Sequence, residues 1–460
     1  MRNNHAAVKS KIRKWFFIFF VLFLSGCANL QKPTKTEKEQ VEKFKEIKNI
    51  YRTEGKKPPL PVLTSKSTLQ DYIRYAIYNN PAIEKTFYQW EKNVKILPVY
   101  RYAPNPQFSL EEQITSGMMN NVLPPLMTMP GIMLSYPAKK KLYFLTEAMA
   151  LKAKEKQYIF QKEILKTAFT VKYFAYQYWI TNKKIKLTEN IINTLESMEN
   201  ITLTKIQTGN NSLLDVIDIQ IEIQKFKNIL ANLKDYKHVL RVEFAQVLGI
   251  NPYLKNIRLP PMPENLPFTN TEFKESKIWN TVKKHNPTLA LLKTGIQQAE
   301  AFVSLAYSQS KINFGVSLMQ SIFSSMSLTE PLITLSIPWR QKIMAEISAS
   351  KSGEKEAKAS FSAQQLELAA MLADGLFRWR QANRAYLLYK TSLIPEIKAV
   401  MQIETTSYQT GNASIEKFLK AQNTYFNFYS NYFSSMAMRE INLNEISLII
   451  AGIVPKGAKL

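Results

Sequence analysis

Gln207-Thr208-Gly209-Asn210 comes back as Gln409-Thr410-Gly411-Asn412, 202 residues further along the chain. A Thr-Gly-Asn match alone carries no weight, so the test is whether its surroundings return with it. Leu134-Ser135-Tyr136-Pro137 returns as Leu335-Ser336-Ile337-Pro338 at an offset of 201. Asn79-Asn80-Pro81-Ala82-Ile83 returns as His285-Asn286-Pro287-Thr288-Leu289 at 206. Three landmarks in one order at nearly one offset mark a tandem duplication.

Both copies share a grammar. In the first, residues 69–97 place Ile73, Ala76, Ile77, Ile83, Phe87, Trp90 and Val94 at helical spacing. Alternation follows, with Phe108, Leu110 and Ile114 on one face and Gln107, Ser109, Glu111 and Gln113 on the other. A loop rich in Met, Asn and Pro (residues 116–130) leads to a second alternating run, Ile132, Leu134 and Tyr136 against Met133 and Ser135. The second copy gives Ile312, Phe314, Val316 and Leu318 against Asn313, Gly315 and Ser317, then Ile333, Leu335 and Ile337 against Thr334 and Ser336. Period two predicts strands with one apolar and one polar face. Residues 138–208 hold neither Pro nor Gly, and a continuous helix there would reach roughly 107 Å at 1.5 Å per residue. Residues 212–248 are again free of breakers. Residues 339–410 and 413–451 repeat the pair, with Gly353, Gly375 and Pro395 as expected kinks. Helices this long imply a coiled coil or bundle. Each copy reads helix–strand–strand–long helix–turn–helix, and Pro252, Pro260, Pro261, Pro263 and Pro267 mark a crossover linker between them.

Composition agrees. Thirteen glycines in 460 residues is under half the usual ~7%, which disfavours folds built on glycine turns and favours long helices. Three histidines and one cysteine leave no disulfide framework or zinc cluster within the chain. No dinucleotide fingerprint, Walker loop, nucleophile elbow or H-E-x-x-H is present, and the carboxylates pick out no catalytic dyad. Neither an enzyme nor a cofactor is indicated. The net charge of +25 comes without a nucleic-acid recognition fold, so no nucleic-acid partner is expected.

The amino terminus carries Arg2, Lys9, Lys11, Arg13 and Lys14, then an apolar run over residues 15–24. This is an export signal, too short to span a bilayer as a helix. Leu24-Ser25-Gly26-Cys27 resembles the lipobox of bacterial lipoproteins, where the cysteine is acylated and becomes the first residue after cleavage. Ala28 stands where many Gram-negative proteins of that kind carry the Asp that retains them at the inner membrane, so the resemblance implies the outer membrane. Residues 30–60, rich in Lys and Glu, read as a solvated tether with one helical stretch over residues 37–51.

Four strands with apolar outer faces cannot close a barrel, which in a single chain takes about eight. Open edges are not tolerated in lipid. Three protomers would supply twelve strands, with the long helices continuing the barrel as a tunnel.

The Asn79-Asn80-Pro81 segment, the Leu-Ser-x-Pro strand endings before long helices and the two Gly-Asn turns together resemble the TolC family of outer-membrane efflux ducts, over roughly residues 65–452. The resemblance implies a mainly helical mixed α/β membrane protein: a homotrimer with a twelve-stranded β-barrel in outer-membrane lipid and an α-helical tunnel through the periplasm. It implies docking to a periplasmic adaptor and an inner-membrane pump of the RND type through hairpin tips placed here at Gly209, Asn210, Gly411 and Asn412. The organisation expected is a signal peptide over 1–26, an acylated tether from Cys27 over 27–64, a first repeat over 65–250, a linker over 251–270, a second repeat over 271–452 and a tail over 453–460. A structural envelope-tethering coiled-coil lipoprotein without a pore is the alternative, and it would have no use for two-faced hairpins.

Ala103-Pro104-Asn105-Pro106-Gln107 with residues 127–136 and Lys141-Leu142 resembles the metal-efflux branch, although Asn105 replaces its usual Asp and Lys139-Lys140-Lys141 its P-G-K. Met118, Met119, Met127, Met129 and Met133 are then candidate soft ligands for Cu(I), or flexible packing at a barrel rim. Just beyond the repeated glycines, Asp215 and Asp218 share one helix face in the first copy, where the second has Lys417 and Lys420. Around a trimer the two hairpins would alternate, so these charges are candidates for holding the mouth shut.

Overall fold

The structure, a computed structural model, describes residues 31–64, 66–114, 126–207, 213–253, 260–263, 266–268, 275–323 and 326–450. In chain order the helices are α1 Lys35–Tyr51, α2 Leu69–Asn79, α3 Pro81–Lys95, α4 Lys139–Gln207, α5 Leu213–Val247, α6 Glu275–His285, α7 Pro287–Ser308, α8 Arg340–Leu388, α9 Ile394–Gln409 and α10 Ile415–Ile449. The strands are β1 Gln107–Ile114, β2 Leu126–Tyr136, β3 Asn313–Phe323 and β4 Met326–Ser336. The chain forms two compact units, each drawing on both repeats. One takes the described parts of Met1–Ile47, Gln89–Gln157 and Leu291–Phe361, and the other those of Lys48–Tyr88, Tyr158–Ala290 and Ser362–Leu460.

The Asn-Pro landmark does the same work in both copies. Thr68 and Asp71 open α2 with a reciprocal capping box. Pro81 then forces its predecessor out of the helical region, and Asn80 is extended. The Asn80 side chain accepts from the Ala82 N–H (2.8 Å) to start α3 and donates to the Val247 carbonyl (2.8 Å) at the end of α5. In the second copy Asn286 accepts from the Thr288 N–H (2.8 Å) and donates to the Ile449 carbonyl (2.8 Å) at the end of α10. One asparagine thus caps the helix it begins and satisfies an orphan carbonyl of the helix that ends its repeat. Beside Asn79, Gly249 closes α5 with φ +74, and a Cβ there would stand 2.5 Å from the Asn79 carbonyl oxygen.

The strand that leaves the loop is longer than the sequence predicts. β2 starts at Leu126, so Met127, Met129 and Pro130 belong to the sheet rather than to the loop. The sheet order is β1-β2-β3-β4, antiparallel throughout. Pro130 faces Leu110 across the first pair, and the β2–β3 ladder skips from Thr128 to Gly131, since proline offers no N–H.

The amino-terminal segment differs most from expectation. It is not solvated: Glu37, Gln40, Phe44 and Tyr51 form a buried stripe along α1. Phe44 meets Trp90 edge-on at 5.1 Å. Gln40 donates to Gln157 (3.0 Å) and accepts from the Trp90 indole N–H (3.2 Å). Glu37 pairs with Arg101 at 3.3 Å. Burial still holds the Glu37 carboxyl above its ordinary value, against the pull of Arg101. The helix itself matches the stretch expected over residues 37–51; what the Lys/Glu-rich composition concealed is a buried stripe whose positions recur every three to seven residues.

The long helices hold one further difference. α4 runs unbroken for 69 residues. Its counterpart passes through Gly353 and Gly375 without a break and is interrupted instead at Tyr389–Leu393, a π-turn just before Pro395. The repeat offset rises from 201 at Pro137/Pro338 to 202 at Gly209/Gly411. The second copy carries one extra residue, and a single i→i+5 turn absorbs it without rotating everything downstream.

Candidate functional site

Two places carry the functional argument: the face of the sheet in one unit and the hairpin ends in the other.

Register fixes the sheet's faces. Tyr136, Phe314 and Leu335 share a row, as do Leu134, Val316 and Ile333, and Phe108, Ile132, Leu318 and Pro331. These three rows put the predicted apolar residues on one side. The rows toward the β1–β2 loop are mixed, with Gln320 beside Thr329 and Glu112 beside Thr128. Much of that side is exposed, Phe108 at 80% and Ile333 at 64%, although Leu134 is buried; on the other face Ser317 is buried while Met133 and Leu332 are exposed. Among the described residues the outer edges of β1 and β4 have no partner within the protomer. At the junction with the helices, Tyr143 and Trp339 are exposed, and the buried Lys141 ammonium donates to the Asn313 side chain at 2.7 Å. Burial pulls the Lys141 pKa down, and Glu346 opposes it.

Met129 and Met133 stand on the second face, opposite Glu111 and Gln107, with Met319 between them opposite Gly131. Met127 lies in β2. Met118 and Met119 lie outside the described residues, as do Cys27, Gly209 and Asn210.

At the second hairpin Gly411 takes φ +82. The Asn412 N–H reaches the Ser407 carbonyl (2.7 Å) and the Gly411 N–H the Tyr408 carbonyl (3.2 Å), the paired bonds of a Schellman cap. Below it, Leu187, Ile191, Leu195, Ile219, Phe226 and Phe418 belong to one core drawn from both hairpins. Sequence reading missed the residue that ties them. Tyr408, 2% exposed, shares a 2.6 Å hydrogen bond with the Thr202 hydroxyl. The Lys205 ammonium donates to its carbonyl and lies 4.7 Å from its ring centre. The available signal was the repeat itself, because Tyr408 stands where the first copy has Ile206.

Of the four mouth charges, Asp215 is half-buried at the start of α5 and Asp218, Lys417 and Lys420 are exposed. Within the described residues of the protomer, Asp218, Lys417 and Lys420 make no ion pair. Leu213, Leu214, Ile217 and Ile221 leave an exposed apolar stripe on the first turns of α5. Beside it Ile217, Ile221 and Glu199 line a groove of about 580 Å³. Among the described residues no helix is long and apolar enough to cross a membrane.

No family model and no curated protein matches the sequence. Solved structures do match. The chain is similar to the Campylobacter jejuni CmeC outer membrane channel, with a TM-score of 0.73 and 13% identity over 85% of this chain and 89% of that one. It is similar to the Neisseria gonorrhoeae MtrE outer membrane channel in its open state, with a TM-score of 0.69 and 14% identity over 86% and 94%. VceC, an outer membrane protein of Vibrio cholerae, gives a TM-score of 0.69 at 12% identity over 84% and 96%. The chain therefore has the fold of outer-membrane channels.

Proposed function

We propose that the protein is the outer-membrane channel of a tripartite efflux system, a homotrimer that passes small molecules or metal ions from the periplasm to the exterior without chemistry of its own. One observation carries the reading: a four-stranded sheet with an exposed apolar face and two unpaired edges. Unsatisfied edge groups are not tolerated in lipid, so β4 of one copy pairs with β1 of the next and three copies close twelve strands. Exposed Tyr143 and Trp339 at the strand–helix junction suit the aromatic belt where a membrane meets water. Leu366, Phe377 and Leu388 are exposed along α8, as a helix needs if a second copy is to cover it.

Acylation of Cys27 anchors each copy in this reading. The α5 stripe and its groove receive a periplasmic adaptor, which links the channel to an inner-membrane pump of the RND type. Asp215 and Asp218 meet Lys417 and Lys420 of neighbouring hairpins at the mouth. Met129 and Met133, on the inner face, are the described candidates for meeting a soft metal ion in transit.

The test is conductance in a planar bilayer, with mass measured by light scattering in detergent. The reading expects a trimeric mass and discrete conductance steps. A trimer that conducts nothing under any voltage supports the envelope-tether alternative instead. Mass spectrometry of the mature amino terminus should find a lipid-modified residue 27, and an unmodified terminus elsewhere sinks the anchor.

A further inference from the structure

A groove of about 500 Å³ opens where α4 and α5 face the proline linker. α4 supplies Trp179, Lys183 and Lys186 at spacings of four and three, hence from one helix face, together with Tyr178. Arg241 of α5 and the Pro261–Pro263 segment line it too.

The groove's walls are anchored by packing and a hydrogen bond. Trp179 is pinned against Phe268 at 5.1 Å and Phe433 at 6.1 Å. The Tyr72 hydroxyl donates to the Pro261 carbonyl, and Met262 is buried in the same core as Tyr72 and Phe244.

Among the described residues its charge is unmatched. Farther along the same hairpin, Lys225, Lys227 and Lys234 pair with Glu222, Glu196 and Glu189 at 2.7, 2.9 and 3.3 Å. In the groove no carboxylate is among the lining residues, and Lys183, Lys186 and Arg241 make no ion pair among the described residues. Lys183 instead sits 5.5 Å from the Trp179 ring centre, and Lys237 5.4 Å from that of Tyr178. An anion would supply the counter-charge that the described lining lacks.

We infer that this groove binds an acidic saccharide. The cations take its carboxylates, and the flat Trp179, Tyr178 and proline faces stack on the C–H faces of sugar rings. Asn182 is the one neutral amide in the lining and serves a ring hydroxyl. The volume lies within the ~300–1,000 Å³ of small-ligand sites. An acidic peptide would meet the same cations but would leave the flat Trp179, Tyr178 and proline faces without a matching ring. The inference stands on the groove alone and survives if the channel reading fails.

The test is calorimetry on the full chain in detergent at low salt, with tri-galacturonate as probe. Neutral tri-galactose and tetra-aspartate are the comparisons. Tri-galacturonate should bind below millimolar concentration and lose at least tenfold in affinity in Lys183→Ala/Lys186→Ala and in Arg241→Ala. Arg241→Lys should restore most of the loss, and Lys225→Ala/Lys227→Ala, away from the groove, should bind like wild type. Equal binding of tetra-aspartate, equal binding of tri-galactose, no binding of tri-galacturonate, or unchanged affinity in the groove variants each overturns it. Unaltered circular dichroism keeps a loss of binding from being a loss of fold.

Discussion

Asp71 shows how much a cap matters at the residue scale. Hydrogen bonds from the Thr68 hydroxyl and then the Thr68 backbone N–H hold its carboxylate below the ordinary 3.8. The ionised form therefore favours the fold. That contribution is complete above the ordinary value and is lost as pH falls through the lower folded value. Asp71→Asn should abolish this acid-sensitive part, and Thr68→Ala should cost α2 about 1 kcal/mol and weaken the acid sensitivity with it, since the hydroxyl is the carboxylate's main partner. Amide exchange of residues 69–79, corrected for intrinsic rates, reads both. Gly249 is less forgiving. Its positive φ and the Asn79 carbonyl 2.5 Å from any Cβ leave Gly249→Ala no relaxed solution, and its yield of folded protein should collapse. Tyr408→Phe keeps the ring and loses the hydroxyl bond to Thr202, so a cost of about 1 kcal/mol is expected, seen as faster exchange at the end of α4.

Elements test the sheet and the π-turn. Arg at Leu318 or Ile132, inside the apolar rows, should cost ~2–4 kcal/mol near a bilayer midplane. At Glu112, in a mixed row, Arg should cost under about 1 kcal/mol if that row lies at the interface. Refolding into liposomes against urea separates the two, and equal costs would refute a lipid-facing surface. The π-turn makes an odder prediction. Deleting Ser392 should leave a folded protein, because the helix then runs as α with its downstream register intact. Deleting Lys186 from the middle of unbroken α4 turns all that follows by ~100° and should destroy the core around Leu195 and Phe226. Thermal unfolding followed by circular dichroism distinguishes the outcomes.

For the whole assembly, the mouth charges make the sharpest prediction. In the proposed trimer, Lys417→Glu with Lys420→Glu would put like charges beside Asp215 and Asp218. The double variant should conduct more than wild type at low salt and prefer cations more strongly, with the difference fading as salt shortens the Debye length toward ~3 Å at 1 M. If it conducts like wild type at low salt, charge does not close the mouth. The Tyr408–Thr202–Lys205 lock is then the next element to break.

The sequence by itself determined the periodic parts. Alternation at Phe108–Leu110 and Val316–Leu318 marked strands, breaker-free runs marked α4 and α10, and the landmarks exposed the duplication, because such signals lie within a few residues of one another. The kinks expected at Gly353 and Gly375 did not form, and the π-turn at Tyr389–Leu393 came only from the structure. Tertiary structure alone decided what lies far apart in sequence. The polar-looking segment 35–51 is a docked helix because Gln40 finds Gln157 and Phe44 finds Trp90, which no local pattern encodes. Tyr408 locks two hairpins because Thr202 and Lys205 approach from another helix. Lys183, Lys186 and Arg241 converge on a groove only after α4, α5 and the linker meet, since charge becomes a site through proximity, and proximity between distant residues belongs to the fold.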